Sequence, residues 1–303
     1  MPPKANLQAG VAYATLAYIS WGLFPLYFHA IVGVAALEVV AHRTLWSLVF
    51  LIAVLAVRGH WRWLFDLVHQ PRVLAAFALS SLLLSSNWLT YIWAVSSGHV
   101  LDSSLGYFML PLVNVAIGFF VLHERPRPAQ WVAVAFATAG VVWLALQAGH
   151  PPWIALTLAL TFGFYGLLRK IAVLGPLEGL ALETLLLAPL ALGVLVYCNG
   201  WSWGALLHAD PLTRGLLLGA GPITALPLLL FAAGARRIPL TTLGILQYIS
   251  PTLQFGLGVF LFREAFSFHR MLGFGLIWLA LLVYSVEGIS AARRSEQQRS
   301  PAA

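Results

Sequence analysis

Ten long apolar segments, separated by short polar connections, constrain the fold of this chain more than any other feature. An α-helix needs about 20 apolar residues to cross a bilayer, at 1.5 Å of rise per residue. The short connections leave no room for a soluble domain. The pattern therefore predicts an all-α polytopic membrane protein with ten transmembrane helices. The segments span residues 8–30, 37–57, 73–96, 101–122, 130–148, 153–173, 177–197, 212–234, 240–262 and 269–289.

The scarcity of charged residues agrees with this fold class. Hydrophobic residues make up 60% of the chain and charged residues only 9%, whereas soluble domains carry about 25% charged residues. The net charge of +7 could suggest a nucleic-acid partner, but the basic residues are scattered in short runs between the apolar segments, as membrane topology requires. We therefore expect the lipid bilayer, and no nucleic acid, among the partners.

The positions of lysine and arginine predict the orientation in the membrane. With both termini in the cytoplasm, thirteen of the 17 Lys and Arg residues fall on the cytoplasmic side, three fall outside and Arg43 lies within a helix. Such an excess of positive charge is typical of cytoplasmic loops. The outer residues are Arg214, Arg263 and Arg270. The cytoplasmic residues are Lys4, Arg58, Arg62, Arg72, Arg125, Arg127, Arg169, Lys170, Arg236, Arg237, Arg293, Arg294 and Arg299.

The chain lacks the common motifs of cofactor and metal chemistry. A single cysteine, Cys198, excludes a disulfide framework and a cysteine-based metal cluster. No Gly-rich nucleotide motif, zinc motif or Cys-x-x-Cys pair occurs. We therefore expect no cofactor, no metal site and no enzymatic activity.

An internal repeat with a constant shift of 140 positions divides the chain. Residues 37–44 align with residues 177–184, and three landmark pairs follow without gaps: Pro111 with Pro251, Gly118 with Gly258 and Glu124 with Glu264. The unit is five helices long, so the second copy enters the membrane from the opposite side. The predicted units are a first repeat, 1–148, an inverted second repeat, 149–290, and a cytoplasmic tail, 291–303. A coincidental match in Leu- and Ala-rich sequence is the alternative.

Two repeat-related segments carry a polar stripe at helical spacing. The stripe predicts a cavity lined by amide and tyrosine side chains, with Pro111 and Pro251 as points of helix interruption or gating. The alternative is that the amides only hold helices together. The stripes consist of Ser104, Tyr107, Pro111, Asn114 and Gly118 in one segment, and of Gly244, Gln247, Pro251, Gln254 and Gly258 in the other.

Charged side chains within the apolar segments are candidates for function, because a charge inside a bilayer is costly. We expect Arg43, beside His42, to face a cavity and to pair with an anionic substrate group or with its repeat mate Glu183. A snorkelling arginine or a structural ion pair is the alternative. Glu183 is the candidate proton carrier, or else a hydrogen-bonded structural acid. The other candidate substrate-binding residues are Trp21, Asn87, Tyr91, Tyr107, Asn114, Tyr165, Gln247, Tyr248 and Gln254.

Three further patterns have structural interpretations. Arg169 and Lys170 follow the positive-inside rule, which favours a cytoplasmic anchor. Glu124 closes its segment beside His123, and we expect the two to cap the helix or to pair with the nearby arginines Arg125 and Arg127. The spacing of Gly215 and Gly219 is typical of a helix–helix contact.

Several local stretches make the chain similar to a known family. It resembles the EamA-type members of the drug/metabolite transporter superfamily and, more narrowly, the RarD-type permeases. The resemblance implies a protein of the bacterial inner membrane, with helices 1–4 and 6–9 around a central cavity and helices 5 and 10 at the periphery, where they could support a homodimer. The matching stretches are AHRTLWS (41–47), NWLTYIWAV (87–95), SLGYFMLPLVN (104–114), FYGLLRK (164–170), LETLLLAP (182–189) and TLGILQYISPTL (242–253).

From the repeat and the resemblance we expect a secondary transporter that works by alternating access and exports small amphipathic metabolites or drugs. No ATPase motif is present, so an ion gradient or the gradient of the substrate would drive it. One alternative is an intramembrane enzyme for a lipid-linked phosphate, with His42, Arg43 and Glu183 as its site. A passive channel or a scaffold is the other.

Overall fold

Every regular element in the described part of the chain is helical. The computed structural model describes residues 4–31, 33–59, 61–67, 69–96, 100–148, 151–199, 206, 208–261, 271–273, 275–280, 282–283 and 286–287. The elements are α1 (Lys4–Gly22), α2 (Phe24–Ala30), α3 (Ala36–Arg58), α4 (Arg62–Leu67), α5 (Pro71–Ser96), α6 (Val100–Phe120), α7 (Pro128–Ala148), α8 (Trp153–Ile171), α9 (Pro176–Asn199), α10 (Pro211–Ala235), α11 (Leu240–Gln247), α12 (Ile249–Gly256) and a π-helical turn (Leu257–Leu261).

Seven helical spans in these ranges are long and apolar enough to cross a membrane. A shorter apolar helix, Leu105–Phe120, corresponds to the fourth predicted segment, and the last predicted segment, 269–289, lies only partly within the described residues. Large apolar side chains such as Phe120, Leu146 and Leu190 are exposed on the helices, as a lipid-facing surface requires. The protein is therefore a multi-pass helical membrane protein. The spans are Asn6–Phe28, Leu37–Arg58, Pro71–Tyr91, Pro128–Gln147, Trp153–Ile171, Pro176–Tyr197 and Pro211–Ala235.

Two of the predicted segments are interrupted next to a proline. The first breaks at Leu23, between α1 and α2, where Pro25 occupies the first turn of α2. The ninth breaks at Tyr248, between α11 and α12, three residues before Pro251, which has no N–H to donate to the carbonyl of Gln247. Helix α6, in contrast, continues through Pro111.

Most helix contacts join the first half of the chain to the second half. Helix α3 contacts α9 and α10, α6 contacts α8 and α11, α1 contacts α10, α11 and α12, and α5 contacts α8 and α9.

The N-cap of helix α10 is Asp210, whose carboxylate accepts hydrogen bonds from the backbone N–H groups of Leu212 and Thr213 and from the Thr213 hydroxyl. The hydroxyl bond of Thr213 lowers the pKa of the Asp210 carboxyl.

Small residues allow the closest of these contacts, but not the pair that the sequence suggested. A Cβ at Gly221 of α10 would clash with the backbone of Trp46 in α3, and a Cβ at Gly244 of α11 would lie 2.8 Å from the Pro111 carbonyl of α6. Within the described residues, a Cβ at Gly215 would have no other element within 4 Å, and a Cβ at Gly219 would meet only the Ile223 side chain of its own helix. The interpretation of Gly215 and Gly219 as a helix contact is therefore wrong for the described structure.

Candidate functional site

Arg43 lies on α3, two turns from its first residue, and its side chain is half-buried. Its Nε donates a hydrogen bond of 2.9 Å to the Thr224 hydroxyl of α10. Its guanidinium lies over three aromatic rings, with centroids 5.4 Å (Phe24), 5.5 Å (Phe28) and 5.3 Å (Trp88) away. Cation–π contacts hold a guanidinium in place without neutralising its charge.

Three tyrosines complete the surroundings of this cation. The hydroxyls of Tyr27, Tyr91 and Tyr107 are close enough to interact electrostatically with Arg43, and the rings of Tyr91 and Tyr107 meet edge to face at 5.8 Å. All three side chains are partly exposed, as Arg43 is. We call this set the Arg43 chamber: Phe24, Tyr27, Phe28, Arg43, Trp88, Tyr91, Tyr107 and Thr224.

The chamber leaves the positive charge of Arg43 available. Among the described side chains no carboxylate pairs with its guanidinium, and its predicted partner Glu183 binds other residues. Its neighbour His42 is buried, with Nε2 3.6 Å from Glu38 one helical turn earlier. The Tyr27 hydroxyl already donates to the Leu216 carbonyl at 3.1 Å. The chemistry that the chamber offers is therefore a cation, the hydroxyls of Tyr91 and Tyr107 and flat aromatic faces, which suits an anionic group attached to an apolar ring.

A packed aromatic layer contains Trp21 and Tyr165. Trp21 meets Phe162 at 5.7 Å and Phe231 at 5.5 Å, and Tyr165 stacks on Phe231 at 6.1 Å. The side chains come from α1, α8 and α10. Tyr165 and Phe231 are fully buried, whereas Trp21 and Phe162 are partly exposed, so the layer fills the interior on the side of Tyr165 and Phe231.

Glu183 is buried beneath this layer in an ion pair with Arg169, which we call the inner ion pair. The Arg169 Nη1 lies 3.6 Å from Glu183 Oε1. The same oxygen accepts a hydrogen bond of 2.5 Å from the Ser80 hydroxyl, and Oε2 accepts one of 3.3 Å from the Tyr165 hydroxyl. Since the guanidinium of Arg169 is 1% exposed and also lies over the Phe77 ring, its interpretation as a membrane-surface anchor is wrong.

Lys170 and Glu124 also have partners that the sequence did not reveal. Glu124 accepts hydrogen bonds from the backbone N–H groups of Leu240 and Thr241, at 2.9 and 3.1 Å, and so caps the first turn of α11. The ammonium of Lys170 lies 3.8 Å from Glu124 and donates to two backbone carbonyls. Of the two expectations for Glu124, the capping role is found, but on α11, and the pairing with Arg127 is wrong, because Arg127 pairs with Glu287 at 2.9 Å.

The two charged sites lie at different depths. Arg43 is about 22 Å before the end of α3 at Arg58, at 1.5 Å per residue, whereas Arg169 is near the last residue of α8. The ends of α3 and α8 are on the same side, because residues that follow α3 pack with the turn between α8 and α9. This cluster contains Trp63, Leu67, Val73, Leu74, Phe77, Ala172, Leu174 and Leu182.

The predicted amides connect helices to one another. Asn114 donates to Gln247 at 3.3 Å, and Gln254 donates to the Trp21 carbonyl at 3.1 Å. Asn87 is buried and donates to the Leu158 carbonyl and to the Thr161 hydroxyl. The amides thus join α6 to α11, α12 to α1 and α5 to α8.

The other predicted stripe residues divide between core and chamber. Tyr248 is fully buried and donates to the Phe108 carbonyl at 3.2 Å. Pro111 is buried against Gly244, and Pro251 follows the break in the ninth segment. The side chain of Ser104, the burial of Gly258 and the residue Glu264 lie outside what the structure describes. Tyr107 is the stripe residue that borders the Arg43 chamber.

Sequence reasoning missed five chamber residues and one partner of the inner ion pair: Phe24, Tyr27, Phe28, Trp88, Thr224 and Ser80. Phe24, Phe28 and Trp88 carry no polar signal in an aromatic-rich chain, and Thr224 and Ser80 resemble any hydroxyl in a membrane helix. The spacing of Phe24 and Phe28, one turn apart on the helix of Trp21, could have indicated the aromatic lining. In the described ranges no three His, Cys, Asp or Glu side chains are placed to hold a metal ion.

Comparisons with known proteins are consistent with this architecture. Residues 8–146 match the model of the EamA-like transporter family. An uncharacterized transporter of Pseudomonas aeruginosa is 44% identical over 97% of this chain and 98% of its own length. The protein RarD of Streptomyces exfoliatus is 44% identical over 100% of this chain and 96% of its own. A solved crystal structure superimposes with a TM-score of 0.70 at 19% identity, covering 91% of this chain and 97% of that one.

Proposed function

Because the chain belongs to the EamA-like transporter family, in the branch of the RarD-type permeases, we propose that it is a secondary transporter that exports small amphipathic metabolites or drugs by alternating access. The observation that carries the proposal is the Arg43 chamber. It combines a cation that no described carboxylate neutralises with aromatic faces and hydroxyls from five helices, so it suits a substrate with a carboxylate or phosphate on an apolar ring.

In this proposal the protein has ten transmembrane helices in two inverted halves, 1–148 and 149–290. The packing supports it, because repeat mates meet: α3 lies against α9, and α6 lies against α11. Contacts between the halves also repeat when each helix is replaced by its repeat mate. The contact of α5 with α8 corresponds to that of α10 with α1, and the contact of α6 with α8 corresponds to that of α11 and α12 with α1. Transporters of this type place the substrate at the interface of the repeats.

We propose that the protein lies in the inner membrane of a bacterium, with both termini in the cytoplasm. The ends of α3 and α8 then face the cytoplasm. In that arrangement the Arg43 chamber is toward the outside, and the aromatic layer and the inner ion pair close the cytoplasmic side. Export would require the inner ion pair to separate so that a substrate can enter from the cytoplasm.

The site of a lipid-phosphate enzyme is not favoured by the geometry. Such a site needs His42, Arg43 and Glu183 together, but Glu183 binds Ser80, Tyr165 and Arg169 instead. A purified protein that hydrolyses a lipid phosphate and shows no transport would contradict the proposal. Flux without saturation and without stimulation by substrate on the other side would indicate a channel and would also contradict it.

The proposal can be tested by counterflow in liposomes. Aromatic carboxylates and their neutral amide analogues serve as probes, and we expect saturable exchange of a carboxylate but not of its amide. Arg43→Gln should reduce this exchange by roughly 10- to 100-fold, the equivalent of a lost charged hydrogen bond, and Arg43→Lys should retain part of it. Arg58→Gln, an exposed arginine at the end of the same helix, is the matched control. Wild-type exchange in Arg43→Gln would exclude the chamber as the site.

A further inference from the structure

A cleft of about 230 Å³ lies between α5 and α8, at the end of the molecule that carries the inner ion pair. It is separate from the Arg43 chamber and shares no residue with it. Its lining combines two arginines and a serine with apolar side chains. They include Arg72, Phe77, Ser80, Arg169, Ile171 and Val173.

The buried wall of this cleft contains a guanidinium with unused donors. Arg169 is 1% exposed, and its Nη2 donates to the Pro176 carbonyl at 3.1 Å. Its Nε and Nη1 have no hydrogen-bond partner among the described residues, and Nη1 is only within ion-pair distance of Glu183. A guanidinium has five N–H donors, and leaving buried donors without acceptors is costly. Arg169 therefore favours an additional anionic oxygen nearby.

The mouth of the cleft is cationic with an apolar rim. Arg72 is exposed and is the second residue of α5, where the helix dipole also favours negative charge. Ala76, Ile171 and Val173 are exposed beside it. Arginines at the end of two spanning helices, next to apolar surface that faces lipid, are what a phospholipid with a negative headgroup requires.

We propose that this cleft binds the phosphate group of an anionic phospholipid from the cytoplasmic leaflet. The phosphate lies beside Arg72 with Arg169 behind it, and the acyl chains lie along the exposed apolar residues of α5 and α8. Because Ser80 and Arg169 border the cleft and also contact Glu183, the phosphate and Glu183 compete for Arg169. Lipid binding thereby weakens the inner ion pair. The binding itself does not depend on what the protein transports.

The test measures lipid binding to the full-length protein. Phosphatidylglycerol is titrated into protein in a neutral detergent, with phosphatidylcholine as the neutral lipid, and the shift in unfolding temperature and the retained lipid are recorded. We expect phosphatidylglycerol, but not phosphatidylcholine, to raise the unfolding temperature of the wild type. Arg72→Gln should weaken its apparent affinity roughly fivefold, since one arginine near a membrane surface contributes about 1 kcal/mol. Ala76→Trp, which fills the mouth, should abolish the effect.

The control variant is Arg58→Gln, which removes an exposed arginine outside the cleft and should respond as the wild type does. An equal response of the wild type, Arg72→Gln and Ala76→Trp to phosphatidylglycerol would overturn the proposal. The same stabilisation by inorganic phosphate without lipid would overturn the lipid assignment, because the cleft would then be a site for a free anion. If Ala76→Trp does not fold, Arg72→Gln decides alone, since that side chain is exposed.

Discussion

At the scale of single residues, Arg43 and Arg169 differ in what surrounds their charges. Arg43 is held by the Thr224 hydroxyl and three ring faces, so its charge is not neutralised by any described side chain. Arg169 is buried beside the carboxylate of Glu183. Removing one member of a buried pair leaves an uncompensated charge and costs about 3–5 kcal/mol. The same residue type thus carries an unpaired charge in one place and a paired, buried charge in the other.

The inner ion pair requires a glycine in α9. A Cβ at Gly179 would clash with Nη1 of Arg169 and would lie 2.8 Å from the Phe77 ring. We therefore predict that Gly179→Ala pushes Arg169 away from Glu183 and lowers the free energy of unfolding by about 1–3 kcal/mol, as overpacking does. Unfolding by denaturing detergent, followed by circular dichroism, measures the change.

Gly193→Ala is the matched control, because Gly193 lies in the same helix and the added Cβ would have no other element within 4 Å in the described structure. Alanine in place of glycine within a helix should stabilise this variant by roughly 0.5–1 kcal/mol. Equal stabilities of the two variants would show that Arg169 does not need the space above Gly179.

At the scale of helices, close approach is set by individual glycines and interruption by individual prolines. Pro251 follows the break between α11 and α12, whereas α6 passes through Pro111 without a break. Both prolines remove one backbone donor, so the difference lies in the packing around them. The Pro111 turn is pressed against Gly244 of α11, and this contact supports α6 from one side.

The contact between α3 and α10 depends on Gly221, where a Cβ would clash with the Trp46 backbone. We predict that Gly221→Ala separates the two helices, destabilises the protein by about 1–3 kcal/mol and weakens exchange, because Thr224 on the same helix holds Arg43. Gly215→Ala, at an open position in the first part of the same helix, should leave exchange unchanged and should stabilise the protein by roughly 0.5–1 kcal/mol. Stability and liposome counterflow are the measurements, and a Gly221→Ala variant with wild-type values in both would contradict the prediction.

At the scale of the whole molecule, the orientation decides which side each charged site faces. Val57 near the end of α3 is 90% exposed and Trp153 at the start of α8 is 54% exposed, so both positions accept a label. With Cys198 replaced by alanine, we predict that an impermeant maleimide labels the Trp153→Cys variant in intact cells. The Val57→Cys variant should react only after the membrane is opened, and the reverse pattern would invert the proposed orientation.

The sequence by itself determined the class of protein and its family. Apolar length is a local property of each segment, and the bilayer demands it of every spanning helix, so the segments could be predicted without knowing their neighbours. The motifs around Arg43, Asn87, Pro111 and Glu183 identified the family for the same reason, because each is a short continuous stretch. Seven of the segments are long apolar spans in the described structure.

Only the tertiary structure decided which side chains and backbone groups the polar residues contact. Glu183 pairs with Arg169 rather than with Arg43, Asn114 donates to Gln247, and Glu124 caps the start of α11. These choices depend on which helix faces lie together and how far each side chain reaches. Helical spacing shows that residues share a face, but not which face of another helix meets it. That is why the sequence indicated Arg43 as a cavity cation, while the rings and the hydroxyl that hold it became visible only in the packed bundle.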